Sequence, residues 1–207
     1  VSESHLCLLN KFPVFEHHVL VVTRQFEDQD TLLNFDDFEA LDRCMSNTNC
    51  LGFYNGGTMA GASQRHKHLQ LVPLPLAPLG PPIPIQPLLD FNSIRNGMRQ
   101  SSLLPFPHVL AELNADIRHS GRADKMLACY QSLLAALCLN PTHSSVGAYN
   151  LLIAREWMLL VPRTREHFGS ISLNALAFAG HFLVRNEVEL NTLKEHGPIA
   201  ALKHVTS

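Results

Sequence analysis

Residues 61–72, which read GASQRHKHLQLV, join a loop of small residues to a segment with the pattern of a β-strand. Apolar and polar residues alternate from 66 to 72, and this period of two is typical of a half-buried strand. Side chains two residues apart on a strand point to the same face, so we expect His66, His68 and Gln70 to share one face. Two imidazoles and an amide in a row on an otherwise apolar strand indicate a surface with a function.

A glycine-rich turn lies immediately before this strand and contains Gly56, Gly57, Gly61 and Ser63. Glycines let the backbone approach a phosphate closely, and successive N–H groups in such turns form concave anion sites. A nucleophilic side chain beside an anion site is what phosphoryl or nucleotidyl transfer requires. The turn and the strand together therefore suggest a site for a phosphate-containing substrate.

Three interpretations of the two histidines are compatible with their spacing. The first is nucleotidyl transfer through a covalent histidine intermediate. The second is metal binding by two imidazoles, which needs a further His or carboxylate from elsewhere because Gln is a poor zinc ligand. The third is structural, with both rings hydrogen-bonded on a half-exposed strand. The spacing alone leaves all three open.

The composition of the 207 residues limits the class of protein. Hydrophobic residues make up 46% and charged residues 16%, which is typical of a folded domain and excludes a disordered tail. The net charge of -2 argues against a general nucleic-acid binder. No apolar run approaches the roughly 18 residues of a membrane helix. The five cysteines form no CxxC pair, so we expect free thiols in a reducing cytoplasm.

Hydrophobic periodicity predicts an α+β fold, in which helices flank an antiparallel sheet. Short apolar or alternating runs predict strands at 5–10, 17–23, 50–54 and 66–72, and a hairpin over 148–161. Spacings of three and four predict helices at 35–47 and 123–139, a short helix near 108–119, and mostly helical structure over 174–204.

The pattern N-x5-G-x-S-x2-H-x-H-x-Q over residues 55–70 resembles the signature of the histidine-triad superfamily. Gln in the third place is similar to the transferase branch of that superfamily. Within this branch, residues 61–70 resemble the diadenosine tetraphosphate phosphorylases, also called ATP adenylyltransferases. Residues 9–14 and 18–23 look like the first core hairpin of that family, and residues 148–163 look like its C-terminal domain.

The resemblance implies a histidine-triad-type core and an enzyme that phosphorolyses diadenosine tetraphosphate to ADP and ATP through a covalent AMP–histidine intermediate. Its partners would be dinucleoside polyphosphates, inorganic phosphate, ADP and ATP, with no nucleic acid and no membrane. Alternatives are a related nucleotidyltransferase acting on a sugar nucleotide or adenylyl sulfate, and a nucleotide-binding module without catalysis. Mg²⁺ held largely by substrate oxygens is a candidate cofactor because it neutralises polyphosphate charge, and no organic cofactor is expected.

The resemblance also implies roles for individual residues. His68, the second His of the motif, is expected to be the nucleophile, with His66 orienting the site and Gln70 hydrogen-bonding the α-phosphate. Lys67 is expected on the opposite face of the strand. The residues expected to bind substrate are Asn10, Lys11, Asn55, Gly61, Ala62, Ser63, Gln64, Tyr149, Asn150 and Arg155, and no metal site made by the protein alone is expected.

Seven of the thirteen prolines lie between residues 73 and 87, a density that excludes a helix or a central strand there. We therefore expect a histidine-triad-like catalytic core, incomplete at its N-terminus, over residues 1–75 and a Pro-rich connection over residues 76–122. A C-terminal region similar to ATP adenylyltransferases, residues 123–207, is expected to pack on the same core.

Overall fold

The computed structural model describes residues 1–95, 98–113, 121–137, 139 and 147–207. The strands are β1 (His5–Leu9), β2 (Val19–Thr23), β3 (Cys50–Gly56), β4 (His68–Pro73), β5 (Ile94–Arg95), β6 (Met98–Arg99), β7 (Val109–Glu112), β8 (Tyr149–Ile153), β9 (Trp157–Pro162), β10 (His167–Phe168) and β11 (Ile171–Ser172). The α-helices are α1 (Phe35–Met45), α2 (Arg122–Ala136), α3 (Ala175–Phe178), α4 (Glu187–His196) and α5 (Pro198–His204), with 3-10 turns at Thr58–Ala60 and Gln86–Leu88.

Seven strands form one sheet in the order β1-β2-β4-β3-β8-β9-β7, and every neighbouring pair in it is antiparallel. The predicted α+β class with an antiparallel sheet and flanking helices is confirmed. Strand β3, from the first part of the chain, pairs with β8, from the last part. The two parts therefore share one sheet, and the predicted domain boundaries at 75 and 122 stay a prediction. Within the described residues no helix is long and apolar enough to cross a membrane.

One face of the sheet is covered by α1 and α2. Helix α1 begins with a capping box, because the Asn34 side chain accepts from the amide of Asp37 and the Asp37 carboxylate accepts from the amide of Asn34. Its apolar side buries Phe38, Leu41 and Met45 against the sheet. Each such side chain contributes about 1.5–3 kcal/mol relative to an exposed position, so this face holds α1 firmly in place.

The opposite face is covered by the Pro-rich segment and by the C-terminal helices. Ile85 from the Pro-rich segment and Phe178 of α3 belong to the same buried cluster as Phe53 of β3 and Val72 of β4. Residues at even numbers on β4 share a face with Val72, so Gln70 points to this side of the sheet. The functional face of β4 thus lies beneath the C-terminal part of the chain.

The short helix predicted near 108–119 is wrong for its first residues. Residues 109–112 form β7, an edge strand that pairs with β9 from Val109↔Leu160 to Glu112↔Trp157. The backbone groups of β9 need a partner on that side, and pairing with an apolar strand satisfies them. Residues 114–119 lie outside the described residues.

Candidate active site

His68 is the first residue of β4, where it pairs with Val22 of β2, and it is 9% exposed. Its Nδ1 lies 2.8 Å from the carbonyl oxygen of His66. A carbonyl oxygen can only accept a hydrogen bond, so Nδ1 carries the proton and the lone pair is on Nε2. The backbone therefore selects the tautomer in which Nε2 is the nucleophilic nitrogen.

The pKa of His68 lies below the usual histidine value of 6.5, mainly because burial penalises the charged ring. The hydrogen bond to the His66 carbonyl raises this pKa, and the electrostatic effect of the His66 ring lowers it. A histidine with a pKa below 6.5 is neutral at pH 7. His68 thus has its nucleophilic lone pair available at physiological pH.

Gln70 faces the same side as His68 and is oriented by a chain of side chains that begins at Asn10. The Asn10 Oδ1 accepts from the amide of Phe12 at 3.0 Å, so its Nδ2 is the group that donates to Nδ1 of His18 at 3.2 Å. The Nε2–H of His18 then donates to Oε1 of Gln70 at 2.9 Å. This leaves both N–H donors of the Gln70 amide directed away from His18. The chain therefore presents Gln70 as a donor, which is the role required for binding a phosphate oxygen.

Asn55 of β3 and Asn150 of β8 are opposite each other in the sheet and belong to a buried cluster of polar groups. Asn55 Oδ1 accepts from Nδ2 of Asn150 at 2.8 Å and from the amide of Ala175 at 2.9 Å. Asn150 Nδ2 also donates to the carbonyl oxygen of Ala60, at the end of the glycine-rich turn. Asn150 and Asn55 are at most 2% exposed. The pair thus holds the glycine-rich turn and the start of α3 against the sheet.

Arg163 completes this cluster from the residue after β9. Its guanidinium donates to Asn150 Oδ1, to the carbonyl oxygen of Leu173 at 2.9 Å and to that of Arg165 at 2.8 Å. Burial lowers the pKa of Arg163 to about 10, with a smaller opposing effect from Glu166, so the group keeps its charge at pH 7. Because hydrogen bonds from a charged group are strong, the Arg163 guanidinium holds β8 and the backbone at Arg165 and Leu173 together.

The glycine-rich turn lies next to a cavity of about 250 Å³. Gly57 and Gly61 have φ values of 90° and 85°, which favour glycine, and a Cβ at Gly61 would lie 2.7 Å from the carbonyl oxygen of Leu173. The amides of Gly61 and Ala62 donate within the turn, to the carbonyl oxygens of Thr58 and Gly57. The cavity is lined by Asp28, Gln29, Asp30, Gly57, Thr58, Ala62, Ser63, Gln64 and Arg65.

The backbone N–H groups of Ser63 and Gln64 are the ones in this turn that are left to bind a phosphate. Both residues are exposed, and within the described part of the chain their amides make no backbone hydrogen bond. Of the amides of Gly61, Ala62, Ser63 and Gln64, the turn residues expected to bind substrate, two are therefore occupied within the turn. The first two close the turn, and the next two are available at its rim.

His66 and Lys67 do not occupy the positions of a regular strand. His66 precedes β4, forms an isolated bridge with Asp28, and bonds through Nε2 to Thr23 Oγ1 at 3.0 Å. It therefore does not line up with Gln70 as expected, although its carbonyl oxygen orients the His68 ring. Lys67 is buried at 0% exposure on the α1 side, with Nζ 2.7 Å from Asp37 Oδ2. The opposite orientation of Lys67 is as predicted.

Two residues expected to bind substrate, Tyr149 and Arg155, lie apart from His68, and a third, Lys11, is on the surface. Tyr149 is on the α1 and α2 side of the sheet, 1% exposed, with its hydroxyl 2.6 Å from that of Tyr130. Arg155 is in the β8–β9 turn, at the opposite end of β8 from Asn150, where it lines a separate cavity of about 370 Å³. Lys11 is exposed, with Nζ 5.5 Å from the ring centre of Phe12. The structure brings neither Tyr149 nor Arg155 to the nucleophile, and substrate binding by Lys11 stays a prediction.

Sequence reasoning missed three residues that contact this site, namely His18, Gln29 and Arg163. His18 could have been found by aligning β2 with β4, because the antiparallel register brings the start of β2 beside Gln70. Gln29 lies in a polar loop between elements, and no pattern in the sequence indicates its partners. Arg163 follows an apolar strand, and no pattern in the sequence indicates that it is buried.

Family models and known proteins match almost the whole chain. A model described as the Ap4A phosphorylase N-terminal domain matches residues 1–91, and one described as the ATP adenylyltransferase C-terminal domain matches residues 102–207. Protein APA1 of Saccharomyces cerevisiae is 26% identical over 221 residues, which cover 94% of this chain and 65% of that protein. Diadenosine 5',5'''-P1,P4-tetraphosphate phosphorylase 2 of the same yeast is 30% identical over 217 residues, 91% of this chain and 64% of that protein. The chain thus spans slightly less than two thirds of these relatives.

Two solved structures of a yeast Ap4A phosphorylase have a similar fold to this chain. The crystal structure of yeast Ap4A phosphorylase Apa2 superposes with a TM-score of 0.80 at 27% identity, covering 99% of this chain and 72% of that chain. The same yeast protein in complex with Ap4A, diadenosine tetraphosphate, gives a TM-score of 0.78 at 27% identity, covering 99% of this chain and 74% of that chain.

Proposed function

The chain belongs to the Ap4A phosphorylase family, the ATP adenylyltransferases, and on this premise we propose that it converts diadenosine tetraphosphate and inorganic phosphate into ADP and ATP. The observation that carries the proposal is the unprotonated Nε2 of His68, whose tautomer is set by the His66 carbonyl. Gln70 and the rim of the glycine-rich turn supply donors for phosphate on the same strand and the loop before it. This combination supports nucleotidyl transfer over a purely structural role for the histidines.

In the first half-reaction the Nε2 lone pair of His68 attacks the α-phosphorus of one adenylyl group. The bond between that phosphorus and the bridging oxygen breaks, ATP leaves, and AMP stays joined to Nε2. The ring is positively charged in this adduct. Its Nδ1–H continues to donate to the His66 carbonyl oxygen, and this contact stabilises the charge as it develops.

In the second half-reaction an oxygen of inorganic phosphate attacks the same phosphorus. The phosphorus–nitrogen bond breaks, ADP leaves, and His68 returns to its neutral form. The Gln70 amide donates to the α-phosphate oxygens in both steps. An amide cannot accept a proton from water at neutral pH, so the site favours phosphate over water as the nucleophile.

Mg²⁺ bound to the substrate phosphates is a further part of the proposal. The cavity beside the glycine-rich turn is lined by Asp28 and Asp30, and Asp28 pairs with Arg65 at 2.8 Å. Within the described ranges no group of three or more His, Cys, Asp or Glu side chains could hold a metal by itself. Mg²⁺ commonly takes one or two carboxylates together with phosphate oxygens and water. Asp30 fits that pattern, as the exposed carboxylate that borders the phosphate-binding turn.

We also propose that the protein works in the cytoplasm. Cys7, Cys44, Cys50 and Cys129 are free thiols. Cysteines persist as thiols in reducing compartments, whereas in oxidising ones they tend to form disulfides. The location therefore agrees with the state of the side chains that the structure describes.

The test is to incubate the chain with diadenosine tetraphosphate, with and without inorganic phosphate, and to separate the nucleotides. We expect equal amounts of ADP and ATP when phosphate is present. Without phosphate we expect a stoichiometric release of ATP and a labelled peptide that contains His68. The variant His68→Ala should lose both products, whereas the control His196→Ala, at an exposed residue of α4, should keep them.

The other outcomes separate the alternatives. Labelling of Lys67 in place of His68, or normal turnover by His68→Ala, would overturn the proposed mechanism. Transfer from a sugar nucleotide or adenylyl sulfate, with no turnover of diadenosine tetraphosphate, would point to a related nucleotidyltransferase. Binding of AMP without any turnover would identify a nucleotide-binding module.

A further inference from the structure

We propose that Gln29 is a positioning residue for His68, and that its side-chain amide sets the distance between the nucleophile and Asn55. The inference rests on the proposed function, in which His68 is the nucleophile. Gln29 lies in the loop between β2 and α1, outside the sequence motif, and it is 3% exposed.

The Gln29 amide makes three hydrogen bonds to two strands. Its Oε1 accepts from the backbone N–H of His68 at 2.8 Å, and its Nε2 donates to the carbonyl oxygen of His68 at 3.1 Å. The same Nε2 donates to the carbonyl oxygen of Asn55 at 3.0 Å. One side chain therefore binds both backbone groups of the nucleophile and the strand that carries Asn55.

These bonds replace a direct connection between β3 and β4. The two strands pair from Cys50↔Pro73 to Phe53↔Gln70, and the same register continued would place Asn55 opposite His68. The Gln29 amide lies between these two residues and supplies the donors and acceptor that a neighbouring strand would supply. It thus holds the strands apart at the end where the glycine-rich turn begins.

The position of His68 Nε2 follows from this backbone arrangement. The His68 ring is tied through Nδ1 to the carbonyl oxygen of His66, so a shift of the backbone moves the ring with it. On the other strand, the Asn55 side chain is held by Asn150 and Ala175. Gln29 is the side chain that joins these two rigid parts of the site.

Gln29 is itself held from both sides. Its backbone N–H donates to the carbonyl oxygen of Arg65 at 2.7 Å, and its backbone carbonyl oxygen accepts from the hydroxyl of Tyr54. The Tyr54 hydroxyl also lies 3.1 Å from the carbonyl oxygen of Thr31. A side chain that starts from a fixed backbone loses little freedom when it binds, so it can define a geometry.

The experiment compares two substitutions at this position with a matched control. Gln29→Met keeps the size of the side chain and removes all three hydrogen bonds. Gln29→Glu keeps the acceptor for the His68 amide but places a carboxylate oxygen against two carbonyl oxygens. The control is Ser101→Ala, which removes a buried hydroxyl bonded to the carbonyl oxygen of Leu88, on segments that carry no site residue.

We expect kcat for diadenosine tetraphosphate phosphorolysis to fall about 10- to 100-fold in both Gln29 variants, because small displacements of a reacting group have effects of that size. KM should stay within about threefold of the parent, since the phosphate-binding donors are unchanged. Hydrogen exchange at the His68 amide should accelerate in both variants and remain at the parent rate in Ser101→Ala.

A kcat within threefold of the parent for Gln29→Met would overturn the inference, and so would a raised KM at unchanged kcat, which would make Gln29 a substrate contact. A kcat loss of equal size in Ser101→Ala would attribute the effect to general destabilisation and also overturn it. If the parent protein does not phosphorolyse the substrate, the proposed function fails. Exchange at the His68 amide then decides alone whether Gln29 positions that residue.

Discussion

His68 and His18 each have one protonated and one unprotonated ring nitrogen, and their neighbours decide which is which. The carbonyl oxygen of His66 keeps the proton of His68 on Nδ1. Asn10, whose oxygen is occupied by the Phe12 amide, donates to His18 and so places the His18 proton on Nε2. His18 therefore acts on substrate only through Gln70, by keeping the Gln70 amide in its donor orientation.

This arrangement predicts a non-additive pair of substitutions. Gln70→Ala should reduce kcat/KM by about 10- to 100-fold, because a hydrogen bond to a charged group contributes about 1.5–3 kcal/mol. His18→Phe keeps a ring but removes the donor, and the reduction should be no larger than that of Gln70→Ala. In the double variant, His18→Phe should add less than about threefold, since its partner is already absent. Steady-state kinetics of all three variants measure this, and full additivity would mean that His18 contacts substrate directly.

The ion pair between Lys67 and Asp37 connects β4 to the first turn of α1. Lys67 Nζ lies 2.7 Å from Asp37 Oδ2, and Asp37 Oδ1 lies 3.0 Å from His5 Nε2. Burial raises the pKa of Asp37, but the hydrogen bond from His5 and the charge of Lys67 outweigh it, so the pKa is below 3.8. The strand that carries the nucleophile and the helix behind it are thus held by a charged contact inside the apolar face.

We expect Asp37→Ala to lower the free energy of unfolding by about 1.5–3 kcal/mol, because it removes the buried carboxylate that accepts from Lys67 and His5, while Glu27 Oε2 stays 3.0 Å from Lys67 Nζ. Lys67→Met should cost less, since Asp37 keeps its bonds to His5 and to the Asn34 amide. Because the folded-state pKa of Asp37 is depressed below 3.8, its contribution is present above that pH and is lost as the pH falls through the folded value. Urea unfolding at several pH values measures both effects. A loss below 1 kcal/mol for Asp37→Ala would show that Glu27 alone is a sufficient partner for the Lys67 charge.

At the scale of the whole molecule, the sheet joins the two matched parts of the chain. Strand β3 pairs with β4 on one side and with β8 on the other, over Gly52↔Ile153 to Gly56↔Tyr149. Removal of the second part would expose the β8 edge of β3 and the buried cluster around Phe53. An exposed apolar edge of this kind leaves backbone groups unpaired and favours aggregation.

We therefore predict that residues 1–91 alone do not fold cooperatively, and that the full chain unfolds as one unit. Thermal unfolding monitored by circular dichroism should show one transition for the full chain and none for residues 1–91. Added residues 102–207 should restore the transition if the two fragments reassemble. Cooperative unfolding of residues 1–91 by themselves would identify an independent domain and contradict the prediction.

The sequence by itself determined the α+β class, most strands of the sheet and the identity of the motif that carries His68 and Gln70. It could do so because alternation along a strand and the composition of a turn are local properties. The same local rules put His66 in line with Gln70, whereas in the structure His66 pairs with Asp28 before β4 begins. They also assigned a helix to residues that form β7.

Only the tertiary structure decided which distant residues meet at His68. The register of β2 against β4 brings His18 to Gln70, and the loop before α1 brings Gln29 to His68. The segment after β9 brings Arg163 to Asn150. None of these contacts depends on the sequence immediately around the motif. The tertiary structure also takes Tyr149 away from the site. The pleat of β8 turns its ring to the α1 side, while the adjacent Asn150 faces the site. Local patterns determine the elements and their faces, and long-range packing determines which side chains share one site.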